Sequence, residues 1–305
     1  MNKQTEKKYN YWQWRTLITL MIGYALYYFV RKHFSVVMPA LESELGISKV
    51  QLGLFLTLNG IIYGISRFVN GLLADRFSRK ILMSAGLLLS ALTNFIICFS
   101  PSMNSFVNVL DAEGKATMTL VYIIGSLWVL NGYFQGMGVP PCISLMCHWI
   151  RPSELATKQS IWNASHSIGA GLISVMCGFI LKHYGYSSWQ LCFAIPAAIA
   201  VVGAIALFFT LKDTPSSVGL PEIEDMEKEE GKSQCEVEEN KAKELSGPAF
   251  KKFVNKLVFG NPLIWILAVS NFCIYVVRFT ILDWGTTFLT QFKGMEISAA
   301  GTVVA

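Results

Sequence analysis

Long apolar runs separated by short polar stretches recur along the whole chain. About 20 predominantly apolar residues are needed to span the hydrocarbon core of a bilayer. Runs of that length lie at roughly 14–38, 50–73, 81–100, 120–147, 158–181, 189–211 and 263–289. Within the fourth run, Pro140-Pro141 predicts a break in the helix. The stretch from Ile297 to Ala305 has the character of an eighth run that stops early. The pattern therefore predicts an all-α membrane protein with seven complete spans and a C-terminally truncated eighth.

The composition agrees with this pattern, because 53% of the residues are hydrophobic and only 15% are charged. The first residues, MNKQTEKKYNYWQWR, lead to no apolar core that ends in a cleavage site, so we expect no removable signal peptide. Six of the seven cysteines lie in or beside apolar runs, and none forms a CxxC pair. We interpret them as reduced thiols of the helix packing, and we predict neither a metal site nor a cofactor.

Lysine and arginine are unevenly distributed between the two sides of the predicted bundle. The side of the N-terminus carries Lys3, Lys7, Lys8, Arg15, Arg76, Arg79, Lys80, Arg151 and Lys158. The opposite side carries Lys49, Lys115 and Lys182. Since cytoplasmic loops hold the excess of cations, the N-terminus is predicted to face the cytoplasm. Nothing in the sequence supports nucleic-acid binding.

The segment 212–260 divides the chain, because its eleven acidic residues and eight lysines are too polar to build a core. It is predicted to be a cytoplasmic linker between a six-helix bundle, residues 1–211, and the start of a second bundle, residues 261–305. Two halves related by an axis along the membrane normal are typical of the major facilitator superfamily. An internal echo supports this layout, because Tyr28-Phe29-Val30-Arg31 corresponds to Tyr275-Val276-Val277-Arg278.

The stretch GLLADRFSRK, residues 71–80, resembles the signature of the same superfamily between the second and third spans. The matching positions are Gly71, Asp75, Arg76, Arg79 and Lys80. The resemblance implies that Gly71 allows close helix approach and that Asp75 pairs with basic partners and helix ends. A charged turn that merely follows the positive-inside bias is the alternative.

Polar residues inside the apolar runs carry the functional prediction, because a charge near the bilayer centre costs roughly 2.5–3.5 kcal/mol on insertion scales. Their three- and four-residue spacing places them on single helix faces. These faces hold Tyr24, Tyr28 and Arg31 in the first span, Asn59, Tyr63, Arg67 and Asn70 in the second, Asn163 and His166 in the fifth, and Asn271, Tyr275 and Arg278 in the seventh. Lys32, next to Arg31, is a further candidate for substrate binding. The only carboxylate in such a run is Asp283. Several cations with almost no balancing acid predict an anion site.

Each of these residues also has a purely structural interpretation. Arg31 and Lys32 are close enough to the outer interface to extend toward it, and Lys32 lies about 100° around the helix from Arg31. Arg67 is placed to reach toward Asp75 on the inner side. His166 alone would be an ordinary core histidine, and the tyrosines alone would be core aromatics.

Arginine is suited to phosphate, since its planar fork gives two charge-assisted hydrogen bonds, although a carboxylate fits the same fork. Phosphate is favoured because a dianion can engage Arg31 and Arg278 together. The motifs GYALYYFVRKHFSVVMP, YGISRF, DRFSRK, NGYFQGMGVPPC, WNASHSIGAG, LKDTPSSVGLPEIE and YVVRFTILDW resemble the organophosphate:phosphate antiporters, which include glycerol-3-phosphate and hexose-phosphate transporters.

This resemblance implies a twelve-helix protein in which Arg31 and Arg278 bind phosphate from the two halves. It also implies that Tyr28, Tyr63, Asn163, His166 and Tyr275 line the site. The family usually has lysine where this chain has Arg67. A bacterial inner membrane is the expected location, with internal eukaryotic membranes as the alternative.

The sequence thus predicts a monomeric secondary transporter that exchanges a phosphate ester for inorganic phosphate by alternating access. Proton symport, with Asp283 or His166 as the titrating group, is a competing mechanism. A membrane sensor that signals to a histidine kinase and an inactive truncated carrier are the alternatives in function. An enzyme is not expected, because the chain offers no nucleophile and base pair, metal cluster or phosphate-binding glycine loop at a soluble position.

Overall fold

The computed structural model describes residues 3–223 and 260–304. Over these ranges the helices are α1 (Lys3–Leu45), α2 (Lys49–Ala74), α3 (Arg79–Phe99), α4 (Met118–Gln135), α5 (Val139–Trp149), α6 (Pro152–Tyr184), α7 (Leu191–Thr210), α8 (Pro262–Gln291) and α9 (Ile297–Val304). The chain divides into two compact units. The first unit comprises Met1–Leu220 and Leu282–Ala305, and the second comprises Pro221–Ile281.

Local sequence signals explain where several helices begin and end. Helix α2 begins with a capping box, in which Ser48 Oγ accepts a hydrogen bond from the Gln51 backbone N–H at 3.3 Å. The Gln51 side chain accepts in return from the Ser48 backbone N–H at 2.9 Å. Helix α6 has Pro152 in its first turn and ends before Gly185, whose φ of 78° favours glycine.

The fourth span, predicted at 120–147 with a break at Pro140-Pro141, consists of two helices. Helix α4 ends at Gln135, and α5 begins at Val139 with Pro140 and Pro141 in its first turn. A proline in the interior of a helix removes a backbone donor and clashes with the preceding turn, so the prolines fit the start of a new helix. Five helical segments are long and apolar enough to cross a membrane: Lys49–Ala74, Arg79–Ser105, Pro152–Tyr184, Tyr186–Thr210 and Pro262–Gln291. The two other predicted spans fall on α1 and on the α4–α5 pair.

The core of the first unit lies around the C-terminal half of α1. Helix α1 packs mainly on α6, α2 on α4, and α3 on α7. The Phe34 ring stacks on Trp128 of α4 at 4.2 Å and meets the edge of Phe193 of α7 at 6.3 Å. All three side chains are buried. Large aromatic side chains contribute strongly to packing, so the central position of α1 is fixed against two neighbouring helices.

The two predicted groups of cations lie at opposite ends of the first unit. At the end of the N-terminus, Lys158 Nζ donates to Gln13 Oε1 at 2.5 Å and to Glu154 Oε2 at 2.6 Å. At the far end, Lys182 Nζ lies 2.9 Å from Glu296 Oε1. The hydrogen bond from Lys182 holds the pKa of the exposed Glu296 carboxyl below its usual value. In the folded unit, Lys158 and Lys182 thus lie at different ends, as their positions in the sequence predict.

The beginning of the predicted linker belongs to the first unit. The Trp149 indole Nε1 donates to the Lys212 carbonyl at 2.9 Å, and Lys8 Nζ donates to the Val218 carbonyl at 3.1 Å. Leu220 is buried. Residues 212–220 are therefore held against the helix ends, while residues 224–259 of the predicted linker lie outside the described residues.

Candidate functional site

The predicted polar face of α1 is present in the structure. The rings of Tyr24 and Tyr28 meet edge to face at 5.5 Å, and the Arg31 guanidinium carbon lies 5.8 Å from the centre of the Tyr28 ring. Tyr24 also stacks on Trp162 of α6 at 4.8 Å. The four- and three-residue spacing has therefore placed two aromatic rings and one cation together, as predicted.

Tyr63 of α2 lies between two arginines. Its ring centre is 4.1 Å from the guanidinium carbon of Arg31 and 5.5 Å from that of Arg67. Both distances are within the range of a cation–π interaction. Arg31 and Tyr63 are partly buried, whereas Arg67 is exposed. We call Tyr24, Tyr28, Arg31, Tyr63 and Arg67 the arginine–tyrosine cluster.

Helix α6 brings His166 to the border of this cluster. The His166 and Tyr28 rings are 5.7 Å apart, and His166 is only 8% exposed. Asn163, one turn earlier, is exposed. The helices approach closely here, because a methyl group on Gly169 would lie 2.6 Å from the backbone oxygen of Ala25. A glycine at this position is what permits α1 and α6 to bring Tyr28 and His166 together.

Lys32 does not extend to water but forms a partly buried ion pair with Asp283. Its Nζ lies 2.5 Å from Asp283 Oδ1, and the two side chains are 6% and 21% exposed. The Ser35 hydroxyl also donates to Asp283 Oδ1 at 3.4 Å. The charge of Lys32 is therefore neutralised by the carboxylate that the sequence placed in the seventh apolar run.

The arginines of the cluster are not neutralised in this way. Among the described residues of the first unit, no carboxylate is ion-paired with Arg31 or Arg67. Two guanidinium groups thus border one tyrosine ring without an opposite charge. A combined positive potential of this kind is what recognition of phosphate or carboxylate requires.

The other predicted arginine, Arg278, lies in the second unit. The Arg278 guanidinium carbon lies 5.8 Å from the centre of the Tyr275 ring, one turn earlier on α8. Arg278 is partly buried, and Tyr275 is 42% exposed. The pairing of a cation with an aromatic ring three residues before it repeats the arrangement of Arg31 and Tyr28 on α1.

The motif 71–80 connects α2 to α3, and its basic end is anchored to the bundle. Arg79 Nε donates to the Ser144 hydroxyl at 2.7 Å. The Lys80 backbone N–H donates to Asp213 Oδ1 at 2.9 Å, and the Ser78 hydroxyl donates to Asp213 Oδ2 at 2.5 Å. Asp213 thereby caps the start of α3 and complements the positive end of its dipole.

The acidic end of the motif differs from what the resemblance implies. A methyl group on Gly71 would meet nothing within 4 Å, so no close helix approach occurs there among the described residues. Asp75 and Arg76 are exposed, and Asp75 ends α2 through its backbone N–H. The carboxylate that caps a helix end is Asp213 instead, because the segment after α7 folds back onto this corner. Its signal in the sequence was an acid two residues beyond the sixth apolar run.

Two buried amides behind the cluster were missed by the sequence analysis. The side-chain amides of Asn94 on α3 and Asn131 on α4 both donate to the Val30 backbone oxygen, at 3.2 Å and 3.0 Å. Val30 directly precedes Arg31. The available signal was the presence of asparagine in otherwise apolar spans, where an unsatisfied amide is costly.

No group of three or more histidine, cysteine, aspartate or glutamate side chains among residues 3–223 and 260–304 is arranged to hold a metal ion. The described cysteines, at positions 98, 142, 147, 177, 192 and 273, are free thiols.

Comparison with known proteins gives a family match over most of the chain. The model of the Major Facilitator Superfamily matches residues 20–305. The chain is 36% identical over 294 residues to the "Probable hexose phosphate transport protein" of Chlamydia pneumoniae, covering 94% of this chain and 59% of the relative. It is 35% identical over 284 residues to the "Glycerol-3-phosphate transporter" of Bacillus subtilis (strain 168), covering 92% and 58%.

A third relative is the "Membrane sensor protein UhpC" of Escherichia coli (strain K12), 32% identical over 301 residues and covering 99% of this chain and 62% of the relative. The chain thus spans about three fifths of the length of these curated relatives. Among solved structures, it resembles a bacterial homologue of the human lysosomal transporter Spinster in an inward-facing and unoccupied conformation. The TM-score is 0.66 at 17% identity, over 96% of this chain and 58% of the other. At that identity, the likeness concerns the fold alone.

Proposed function

The chain belongs to the major facilitator superfamily, and we propose that it exchanges a small phosphate ester for inorganic phosphate across a membrane. The observation that carries this proposal is the arginine–tyrosine cluster. Arg31 and Arg67 border Tyr63 without an ion pair among the described residues of the first unit, while the neighbouring Lys32 is neutralised by Asp283. The relatives whose names specify hexose phosphate and glycerol-3-phosphate transport support the same class of substrate.

In the proposed complex, Arg31 and Arg278 each hold the phosphate group with bidentate, charge-assisted hydrogen bonds. Their supporting rings, Tyr28 and Tyr275, limit the directions that the guanidinium groups can take. Tyr63, Arg67, His166 and Asn163 line the remainder of the site. The two arginines stand at equivalent places in the repeated sequence pattern, as expected for a substrate bound between two related halves.

The proposed mechanism is alternating access driven by charge neutralisation. An empty site would carry uncompensated guanidinium groups into a closed, poorly solvated state, which is costly. A bound phosphate or phosphate ester removes that cost, so closing and reopening occur mainly in the loaded protein. Such a protein exchanges one anion for another, and the gradient of inorganic phosphate supplies the driving force.

We further propose that the protein acts as a monomer in a bacterial inner membrane with its N-terminus in the cytoplasm. The unequal number of cations at the two ends of the first unit supports this orientation. That the protein is embedded in a membrane follows from its superfamily and from its long apolar helices.

A second candidate function is that of a sensor for a phosphate ester, acting on a histidine kinase. The match to a protein named as a membrane sensor favours including it. The same cluster would bind the same anion in a sensor. The two functions differ in turnover, because a sensor binds phosphate without exchanging it across the bilayer.

The test is uptake of labelled inorganic phosphate by liposomes that contain the purified protein and are preloaded with phosphate. We expect exchange that requires internal phosphate and that Arg31→Ala reduces at least a hundredfold, because loss of one partner of a buried charge pair costs several kcal/mol. The matched control is Arg15→Ala. Arg15 is also on α1 and lies 4.4 Å from the centre of the Trp12 ring, but it is outside the cluster.

The assay is run on the 305-residue chain and on the same chain continued by the C-terminal helices of the Bacillus subtilis relative. Phosphate binding without exchange in the extended chain would favour the sensor. Exchange in the extended chain alone would identify the 305-residue chain as an inactive piece of a carrier.

If Asp283→Asn abolished proton-driven uptake but left exchange unchanged, proton coupling would replace the antiport mechanism. An equal loss in the Arg15→Ala and Arg31→Ala variants would contradict the proposed site.

A further inference from the structure

Helix α1 is interrupted at Val30, the residue before Arg31. Val30 has φ −95° and ψ 21°, outside the helical region, although helical structure continues on both sides of it. Since ψ in an ordinary α-helix is about −42°, the peptide plane between Val30 and Arg31 is rotated by about 60° from its regular orientation. This rotation turns the Val30 carbonyl away from the helix axis and changes the direction of the helix that follows.

The usual causes of a kink are proline, a glycine and serine pair, a π-bulge or an inserted polar group. The proline inside α1 is Pro39, nine residues further on. The inserted groups are instead the side-chain amides of Asn94 and Asn131, which donate to the Val30 oxygen at 3.2 Å and 3.0 Å. The cause of the bend therefore lies in α3 and α4, not in α1 itself.

Both amides are themselves held in place. Asn94 Nδ2 also donates to the Ser90 carbonyl at 2.8 Å, and the Thr93 hydroxyl lies 3.5 Å from Asn131 Oδ1. Asn94, Asn131 and Val30 are completely buried. In a buried site a carbonyl without a hydrogen-bond partner is costly, so the two amides make the bent conformation of α1 the favourable one.

We infer that Asn94 and Asn131 are positioning residues for the phosphate site, acting through the bend at Val30 to aim Arg31 at Tyr63. The inference rests on the proposed function, since the orientation of Arg31 matters for binding only if Arg31 holds the phosphate. A straight α1 would rotate Arg31 and Lys32 relative to the first half of the helix. Arg31 would then leave the Tyr63 ring, and its neighbour Lys32 would leave Asp283.

The test compares Asn94→Leu and Asn131→Leu with Gln135→Leu. Leucine is close in size to asparagine but cannot donate to the Val30 carbonyl. Gln135 is the matched control, because it is a buried amide one turn from Asn131 on α4 and donates to Ser90 Oγ at 3.2 Å, not to α1. If a leucine variant is not recovered in folded form, serine at the same position replaces it, since serine is too short to reach Val30.

Two properties are measured in the chain continued by the C-terminal helices of the Bacillus subtilis relative, as above. One is binding of labelled inorganic phosphate, and the other is the distance between spin labels at positions 22 and 44 of α1, both of which are exposed. We expect the asparagine variants to lengthen the distance, because a straighter helix is longer. We also expect them to weaken phosphate binding about tenfold or more, since small misplacement of a binding group has large effects.

Gln135→Leu should change neither property. An unchanged distance in both asparagine variants, or the same change in the Gln135 variant, would overturn the inference. A lengthened distance with unchanged phosphate affinity would also overturn it, because the bend would then be unrelated to the site. If the parent protein binds no phosphate, the proposed function fails, and the distance alone decides whether the two amides hold the bend.

Discussion

Lys32 and Asp283 illustrate how a charge in an apolar span can be paired with an opposite charge from a distant part of the sequence. The two residues are adjacent in space, at 2.5 Å, but 251 positions apart in the sequence. Arg31, the neighbour of Lys32, has no such partner among the described residues of the first unit. Two successive cations on α1 therefore have different electrostatic surroundings, and only Arg31 belongs to the arginine–tyrosine cluster.

This difference predicts how charge removal affects stability. Asp283→Asn leaves Lys32 buried without its carboxylate and should lower the free energy of unfolding by about 3 kcal/mol, whereas the double variant Lys32→Met, Asp283→Leu should recover most of the loss. The measurement is thermal unfolding of the purified protein in detergent. The control is Glu42→Gln, which breaks the exposed 3.8 Å pair with Lys49 and should change stability by less than about 1 kcal/mol. If the Asp283→Asn variant were as stable as the parent protein, this prediction would be contradicted.

At the scale of helices, the site depends on the close approach of α1 and α6. Gly169 faces the backbone of Ala25, and the contact lies one turn from the His166 and Tyr28 pair. Small residues let membrane helices pack with their backbones close together. Gly169 therefore helps to position the aromatic residues around Arg31 through the spacing of α1 and α6.

Gly169→Ala tests this dependence. The added methyl group would overlap the Ala25 backbone oxygen, at 2.6 Å, so the helices must separate. We expect a loss of about 1–3 kcal/mol in stability, as for other overpacked cores, together with weaker phosphate binding. Both are measured against Gly60→Ala on α2, where a methyl group meets nothing within 4 Å and should be neutral or slightly stabilising. Equal behaviour of the two variants would show that the close approach is not required.

At the scale of the whole molecule, the distribution of charge between the two ends of the first unit is the feature that relates the fold to the membrane. Lys158 and Lys182 lie toward opposite ends of α6, and each is ion-paired with an acid at its own end of the unit. The number of cations in short loops predicts which end stays in the cytoplasm. The proposed orientation therefore follows from charges that lie outside the anion site.

The orientation can be measured with single cysteines in a background in which all seven native cysteines are replaced by alanine. Phe77 lies at the basic end and Glu113 at the far end, and both are exposed. In intact bacteria, a membrane-impermeant thiol reagent should label Glu113→Cys and not Phe77→Cys, and permeabilised cells should show labelling of both. The reverse pattern would place the N-terminus outside.

The sequence predicted the features that depend on one helix at a time. Apolar run length gave the helices, and the match to the superfamily confirms the predicted fold. Helical spacing placed Tyr24, Tyr28 and Arg31 on one face, as the ring distances confirm. The break in the fourth apolar run was predicted from Pro140-Pro141, and the structure places it just before these prolines, between Gln135 and Val139.

Contacts between distant segments were beyond such reasoning. Periodicity does not reveal that Asp213 caps α3 or that Lys32 meets Asp283, because each contact joins residues more than 100 positions apart. Asn94 and Asn131 were visible as polar residues in apolar spans, but their common target is a backbone atom of α1. A backbone acceptor leaves no sequence pattern of its own.

The ion pair between Lys32 and Asp283 also has an electrical consequence. Each elementary charge that moves through a membrane potential of 100 mV changes in energy by about 2.3 kcal/mol. The pair has no net charge. When the proposed carrier opens its site to the other side of the membrane, moving the pair therefore adds almost nothing to the electrical energy of the step. Within the first unit, the voltage dependence of the exchange cycle would then depend on Arg31, Arg67 and the charge of the anion they hold.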